Sequence, residues 1–122
     1  MSAKKILVVD DEMHILRIVK YKLESAGYNV MTAVNGVDAL AIAREEKPAL
    51  IFLDIMMPGL NGYEVCSQLK NDPDTKNIII IMLTAKGQES DKIKGLEVGV
   101  DEYITKPFSP QDLLDRTKDL LG

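Results

Sequence analysis

The chain is organised around one segment, Leu50–Ile51–Phe52–Leu53–Asp54–Ile55–Met56–Met57–Pro58–Gly59. Its first four residues are apolar, a run too short for a buried helix, and a carboxylate and a Pro-Gly turn signal follow it. This pattern is typical of a central strand that is covered on both faces, as in a parallel sheet. Asp54 is then the last side chain of the strand, at the edge of the sheet where ligands bind in open α/β folds. On this segment alone, an aspartate that only initiates the turn is an equally good interpretation.

The composition is that of an ordinary globular chain and excludes several functional classes. The length of 122 residues suits one domain, 1–122, with a single core. The net charge of −4 offers no basic surface, so we expect no direct binding to nucleic acid. A single cysteine, Cys66, excludes an internal disulfide, and the apolar run near the N-terminus is too short for a signal peptide or a membrane span. We therefore expect a cytoplasmic protein that does not enter membranes.

Strand-like runs alternate with helical patterns along the whole chain. Besides the segment ending at Asp54, strands are predicted at Lys5–Val9, Tyr28–Ala33, Ile78–Leu83 and Asp101–Thr105. A helical pattern follows each strand, and the connections are short. This alternation predicts an α/β fold, a five-stranded parallel sheet in the flavodoxin-like order 2-1-3-4-5 with helices on both faces.

The predicted helices have recognisable ends and apolar faces. Asn35, Asn61 and Ser109 are placed to cap helix starts, and Gly27 is placed to close the first helix. A weaker helix is predicted from about Ser90 to Val98. The apolar faces of the first two helices are expected to contain Ile15, Ile18, Val19, Leu23 and Ala26, and Val37, Leu40, Ala41 and Ala43.

The predicted strand order brings polar side chains to one edge of the sheet. The first and third strands are neighbours in this order, so Asp10, Asp11 and Asp54 would converge there, and Thr84 and Lys106 end two other strands on the same side. Each residue has an ordinary explanation by itself, such as a helix cap, a strand end or a solvated lysine. Five suitable groups at the ends of four strands nevertheless indicate a site.

The chemistry of that site follows from its charges. Carboxylates in one crevice repel each other unless a cation holds them, and oxygen ligands suit Mg²⁺, whereas one histidine and one cysteine cannot build a zinc site. A bound Mg²⁺ would also neutralise an incoming phosphoryl group and leave one carboxylate as nucleophile. Asp54 is the natural nucleophile on the central strand, and Asp10 and Asp11 suit the metal. Lys106 and Thr84 would contact phosphoryl oxygens.

With these motifs in place, the chain resembles the receiver domain of two-component response regulators over essentially its whole length. The residues that carry the resemblance are Val8–Glu12, Leu53–Gly62, Leu83–Ala85 and Tyr103–Phe108. It implies a phosphoacceptor rather than an enzyme: Asp54 would take a phosphoryl group from a histidine kinase, assist that transfer and lose the group slowly. It also implies that Asp11, Asp54 and the backbone carbonyl of Met56 bind Mg²⁺ directly and that Asp10 acts through water.

The same resemblance implies a conformational switch. Thr84 would move toward the phosphoryl group and Tyr103 would turn inward, and the Lys106–Pro107 peptide bond is expected to be cis. The residues two positions after Asp54 and Thr84 are Met56 and Lys86, neither of which is an acid or amide that could orient an attacking water. We therefore predict slow self-dephosphorylation.

The last third of the chain looks most like the winged-helix transcription-factor branch of the family. Its charged residues match a dimer face on which Asp101 or Glu97 would pair with Arg116 or Lys92 of a second subunit. A solvated charged surface explains these residues equally well. The matching output domain is absent from the sequence, so a stand-alone receiver and part of a longer regulator both remain open.

Other functions with the same fold fit less well. A flavodoxin needs Ser, Thr and Gly in its first phosphate loop, where this chain has Asp10–Asp11–Glu12. A haloacid-dehalogenase-type phosphatase needs an acid where Met56 stands. An interaction module with vestigial acids would leave Thr84 and Lys106 unexplained. Within the receiver interpretation, the alternative to a DNA-binding regulator's control domain is a freestanding phosphorelay intermediate or docking module.

Overall fold

The computed structural model describes residues 3–85 and 98–122. Five parallel strands form one sheet in the order β2-β1-β3-β4-β5, which confirms the predicted fold. The strands are β1 (Lys5–Val9), β2 (Asn29–Ala33), β3 (Leu50–Asp54), β4 (Ile79–Ala85) and β5 (Glu102–Lys106). All five residues of β3 are buried, as expected for a central strand that is covered on both faces.

Helices cover both faces of the sheet. The helices within the described residues are α1 (Met13–Ser25), α2 (Gly36–Glu46), α3 (Gly62–Lys70) and α4 (Pro110–Leu121). The α1 and α4 helices contact each other, and so do α2 and α3. Alternate residues of β1 face the two layers, with Leu7 and Val9 in one apolar cluster and Ile6 and Val8 in the other.

The predicted helix ends are confirmed. The side chains of Asn61 and Ser109 each complete a reciprocal capping box with the third helical residue. The side chain of Asn35 accepts a hydrogen bond from the Asp38 N–H at 2.8 Å. Gly27 has φ +98°, the left-handed conformation that ends α1. Local sequence therefore determines where these helices begin and end.

Two predicted apolar faces were partly wrong. Ile18 is 53% exposed and Val37 62% exposed, and Ala41 is exposed as well. The core side of α1 is formed by Leu16, Val19 and Leu23. Ile18 lies about 200° around the helix axis from Leu16, so it points away from the sheet. Amphipathic spacing identified the helices but assigned too wide a buried stripe.

Part of the predicted structure lies outside the described residues. This holds for the helix expected from about Ser90 to Val98, of which only Val98 is described, and for Lys86, Lys92 and Glu97. Among residues 3–85 and 98–122, none of the helices combines the length and the apolar character needed to cross a membrane.

Candidate functional site at the carboxyl edge of the sheet

Strand pairing brings four of the predicted site residues to one edge of the sheet. Asp10 and Asp54 follow or end the neighbouring strands β1 and β3, while Thr84 and Lys106 lie at the ends of β4 and β5. Asp10 is 0% exposed, Asp54 5% and Thr84 4%. Asp11 is exposed beside them. The strand order thus gathers residues that are far apart in the chain.

Lys106 joins two of these carboxylates. Its Nζ lies 2.9 Å from Asp10 Oδ2 and 3.2 Å from Asp54 Oδ2. The lysine side chain is 23% exposed, whereas both carboxylates are almost completely buried. A single cation therefore neutralises a pair of buried anions only in part.

Backbone N–H groups fix the other oxygen of each carboxylate. The N–H of Glu12 donates to Asp10 Oδ1 at 3.0 Å, and the N–H of Met56 donates to Asp54 Oδ1 at 3.2 Å. The loop after Asp54 is tightly packed, because a Cβ on Gly62 would lie 2.7 Å from the Asp54 carbonyl oxygen. Both carboxylates are therefore held in place before any ligand arrives.

Burial makes the ionised form of Asp54 costly. Desolvation by burial, together with the charge of Asp10, raises the pKa of Asp54 from 3.8 to about 6, although Lys106 acts in the opposite direction. Burial alone would lower the pKa of Lys106, but its close contacts with the Asp10 and Asp54 carboxylates raise it above the ordinary value. The lysine therefore stays charged, and the two carboxylates together carry more negative charge than this one lysine neutralises.

The acidic residues around Asp10 suit a hard divalent cation. Asp10, Asp11 and Glu12 can each offer a ligand atom, and these atoms lie within 4.8 Å of one another. Asp10 Oδ2 is buried and has no well-aligned hydrogen bond, although it faces the Lys106 ammonium. An all-oxygen donor set with an incompletely satisfied buried oxygen fits Mg²⁺. Glu12 was not among the predicted ligands, although the three consecutive acids at positions 10–12 are visible in the sequence.

The two residues of the predicted switch have distinct environments. The buried Thr84 hydroxyl donates to the Ala85 carbonyl at 3.2 Å. Tyr103 is half-buried against the apolar cluster under α2 and α3, and its hydroxyl is buried with no hydrogen-bond partner among the described residues. The Lys106–Pro107 peptide bond is cis, as expected.

Met56 lies at the mouth of the site. Its side chain is 64% exposed, and its N–H is the group that holds Asp54. Its predicted role as a carbonyl ligand for Mg²⁺ stays a prediction.

An apolar groove of about 440 Å³ lies next to the carboxylates. Ile15 and Ile18 of α1 form one side of it, and Pro107 and Phe108 after β5 form the other, with Lys106 at the end near Asp54. The exposed Ile18, which the sequence had assigned to the core, therefore belongs to a surface beside the site.

The charged residues of the predicted dimer face are engaged within the chain. Asp101 Oδ2 lies 2.9 Å from Lys70 Nζ and accepts the Ile80 N–H at 2.8 Å. Arg116 pairs with Glu102 on β5 and, at 3.1 Å, with Asp119 on its own helix. Pairing with a second subunit would require these contacts to exchange.

Known proteins resemble this chain both in sequence and in structure. Residues 6–118 match the family described as the response regulator receiver domain. The phosphate regulon transcriptional regulatory protein PhoB of Pseudomonas aeruginosa is 52% identical over 121 residues, 99% of this chain and 53% of that protein. The alkaline phosphatase synthesis transcriptional regulatory protein PhoP of Bacillus subtilis is 52% identical over 118 residues, 97% of this chain and 48% of that protein.

A solved structure gives the same result. Chemotaxis protein CheY4 of Vibrio cholerae superimposes with a TM-score of 0.91 at 34% identity, covering 98% of this chain and all of that one (100%). The chain spans about half the length of the curated relatives it matches. Because those relatives are named as transcriptional regulatory proteins, they give no support to the expectation that nucleic acid is not a partner.

Proposed function

The chain belongs to the response regulator receiver domain family of two-component systems, and on that premise we propose that Asp54 is its phosphoacceptor. Receiver domains of this family interact with histidine kinases and bind Mg²⁺, and the family is not an enzyme family. The observation that carries the proposal is the Asp54 carboxylate at the end of β3, with Oδ1 held by the Met56 N–H and Oδ2 facing Lys106. No other acid combines this central position with a partner cation that it shares with a second acid, among the residues described.

The transfer requires little covalent chemistry from the protein. A carboxylate oxygen of Asp54 attacks the phosphorus of a phosphohistidine; a P–O bond forms, the P–N bond breaks, and its electron pair leaves with the imidazole. Lys106 stabilises the negative charge on the phosphoryl oxygens, and the Thr84 hydroxyl donates to one of them. Asp10, Asp11, Asp54 and the Met56 carbonyl would hold Mg²⁺, with Glu12 close by, and the metal when bound supplies charge neutralisation between carboxylates and phosphoryl oxygens.

The donor histidine reaches Asp54 from a kinase that docks on the neighbouring apolar groove. The groove between α1 and the segment after β5 ends at Lys106, and its exposed Ile18 offers apolar contact area. A partner helix lying there would present its phosphohistidine toward the buried carboxylates. Such a partner supports a cytoplasmic location for this chain.

Phosphorylation is proposed to act on the face formed by β5 and α4; Lys92 and Glu97, which the sequence assigns to the same face, lie outside the described residues. The Thr84 hydroxyl would leave the Ala85 carbonyl for a phosphoryl oxygen, and Tyr103, whose hydroxyl has no partner within the described ranges, would repack. Asp101 and Arg116 would then exchange partners within the chain for residues of a second copy. The alternative is a freestanding relay or docking protein without DNA-binding output.

The phosphoacceptor is identified by intact-mass measurement after incubation with Mg²⁺ and acetyl phosphate. We expect one phosphoryl adduct on the wild type and on Asp101→Asn, a matched substitution of an acid far from the site, and none on Asp54→Asn or without Mg²⁺. An adduct on Asp54→Asn, or no adduct on a folded wild type that binds Mg²⁺, would contradict the proposal.

Sedimentation of the same samples separates the two outputs. Dimers that form only after phosphorylation, and that Arg116→Glu prevents without lowering the phosphoryl yield, support the control domain of a regulator. A phosphorylated monomer that passes its phosphoryl group to a second histidine protein supports the relay.

A further inference from the structure

The edge strand β2 leaves part of its backbone unpaired. Among residues 3–85 and 98–122 it pairs only with β1, and the Ala33 carbonyl accepts the Asp10 N–H at 3.2 Å while the Asn29 N–H donates to the Lys4 carbonyl at 3.0 Å. Because backbone groups alternate between the two sides of a strand, the N–H and C=O of Thr32 face away from β1. An open strand edge of this kind is a template for an additional strand.

A groove of about 500 Å³ lies at the carboxyl end of this edge, where Thr32, Ala33 and Val34 line it. Met13 and Leu16 of α1 form one wall, Ala41 and Ile42 of α2 form the other, and Thr32 lies between them. Met13 is 53% exposed although it is large and apolar. The groove therefore combines unpaired backbone with apolar walls on both faces of the sheet.

The α1 wall carries unpaired positive charge. Arg17 and Lys20 line the groove and are exposed, and neither makes an ion pair within residues 3–85 and 98–122. The acid on the opposite wall, Asp38, already accepts a hydrogen bond from the Asn35 side chain at 3.0 Å. Glu12, one residue before α1, faces the His14 ring. The α1 wall is thus suited to an acidic ligand.

We propose that this groove binds an extended acidic segment of a partner protein, which adds to β2 as a further strand. Backbone hydrogen bonds to Thr32 set its position, its acidic side chains lie toward Arg17 and Lys20, and its small apolar side chains lie toward Ala41 and Ile42. The groove lies at the opposite edge of the sheet from β5, so this contact is separate from the phosphorylation-dependent face and does not depend on it.

A second copy of the chain is a poorer occupant. Antiparallel pairing of two β2 strands about a two-fold axis perpendicular to the sheet keeps each helix layer on its own face. The α1 helices of the two copies would then be neighbours, and Arg17 and Lys20 of one copy would approach the same residues of the other. The like charges oppose this arrangement and favour an acidic peptide.

The probe is a synthetic peptide, acetyl-Ser-Asp-Val-Asp-Val-Asp-Val-Ser-amide, in which acidic and apolar side chains alternate between the two faces of a strand. In a titration followed by ¹⁵N NMR, we expect shifts that cluster at Met13, Arg17, Thr32 and Ile42. A peptide with Lys in place of each Asp is expected to bind about tenfold more weakly, because it meets the cations of α1. A peptide methylated at alternate backbone nitrogens is expected to lose binding, because it cannot form the ladder.

Variants of the chain distinguish charge recognition from loss of folding. Arg17→Glu combined with Lys20→Glu should weaken the acidic peptide about tenfold and favour the Lys peptide, while the exposed Lys76→Glu leaves both affinities unchanged. Because the Lys peptide must gain affinity, a merely unfolded variant cannot give the expected result. Equal binding of the methylated peptide, shifts away from β2, or self-association that Val34→Lys abolishes would each overturn the proposal.

Discussion

Two partly buried lysines lie at opposite ends of the sheet, and they differ in how completely their charge is matched. Lys70 Nζ bonds the Ile78 carbonyl at 2.8 Å and Asp101 Oδ2 at 2.9 Å, and the same Asp101 oxygen accepts the Ile80 N–H. Lys106 faces two carboxylates, Asp10 and Asp54, with Asp11 and Glu12 close to the first of them. The cluster at Lys70 is neutral and satisfied, whereas that at Lys106 is an excess of anions.

This difference separates a cluster that stabilises the fold from the candidate site. The Lys70 cluster ties the end of α3 to the starts of β4 and β5 and has no need of a further ion. The Lys106 cluster keeps an acid whose pKa is raised and a buried oxygen of Asp10 that lacks a well-aligned hydrogen bond. Folding holds these carboxylates together against their repulsion, so a divalent cation gains more free energy from binding here than at the Lys70 cluster.

The largest expected effect on stability comes from removing the lysine of each cluster, Lys106 or Lys70. Without Mg²⁺, Lys106→Met leaves Asp10 and Asp54 buried without a counterion, so we expect it to lower the free energy of unfolding by about 3 kcal/mol. Lys70→Met loses backbone hydrogen bonds and one ion pair, which should cost about 2 kcal/mol. Urea unfolding with EDTA or with Mg²⁺ measures both values.

The metal should distinguish the two variants. Mg²⁺ is expected to restore most of the stability of Lys106→Met, since it supplies positive charge to the same carboxylates. It should leave the free energy of unfolding of Lys70→Met unchanged. Equal rescue of both variants, or of neither, would show that the two clusters do not differ in the way described.

A smaller effect of opposite sign is expected at Asp54. Its pKa is about 6 in the folded protein against an ordinary 3.8, so the folded state binds the proton more tightly and the ionised carboxylate opposes folding. This penalty is absent below about pH 4, increases as the pH rises through 6 and is complete above it. Asp54→Asn removes it, so without Mg²⁺ we expect the variant to be more stable than the wild type by about 1–2 kcal/mol at pH 8.

The matched substitution in the Lys70 cluster is Asp101→Asn. It loses the ion pair with Lys70 and is expected to be less stable than the wild type at pH 8. Thermal unfolding from pH 4 to pH 8 in EDTA tests both variants. A wild type that gains stability over Asp54→Asn as the pH rises would refute the assignment of Asp54 as the strained acid.

The smallest expected effect concerns Met56, at the mouth of the site, and the rate of phosphoryl loss. Met56 is 64% exposed and cannot orient water, which is the basis for slow self-dephosphorylation. We expect Met56→Asn to raise the rate of phosphoryl loss about fivefold, under 1 kcal/mol of barrier, and Met56→Ala to raise it less. Val37→Asn, an equally exposed position on α2, serves as the control.

Loss of phosphoryl groups is followed by intact mass after removal of the donor. A wild type that already loses its phosphoryl group quickly, or a rate that neither Met56 substitution changes, would contradict the prediction.

The predictions from sequence succeeded where a local signal decides the structure. Four apolar residues followed by Asp54 are enough to predict a central strand in a chain where strands and helices alternate. Asn35, Asn61 and Ser109 cap helices through residues three positions away. The edge of the sheet at which the acids meet then follows from the handedness of the crossovers. These features involve short sequence separations or a general rule of topology.

Predictions from sequence were wrong where the direction of a side chain depends on packing against distant residues. Ile18 and Val37 have helical spacing, yet they are exposed because the sheet contacts a narrower stripe of each helix. Glu12 joins the acid cluster, although its neighbours in the chain were the ones assigned to the metal. Spacing along one helix does not reveal how wide the contact with the sheet is.

The sequence by itself determined the order of the elements, the helix caps and the identity of the acids, threonine and lysine at the strand ends, because each depends on nearby residues or on the chirality of parallel crossovers. Only the tertiary structure decided how charge is shared. Lys106 lies between Asp10 and Asp54, while Asp101 pairs with Lys70 and Arg116 with Glu102. Electrostatic partners are chosen by distance in space and by burial, and a linear sequence contains neither quantity.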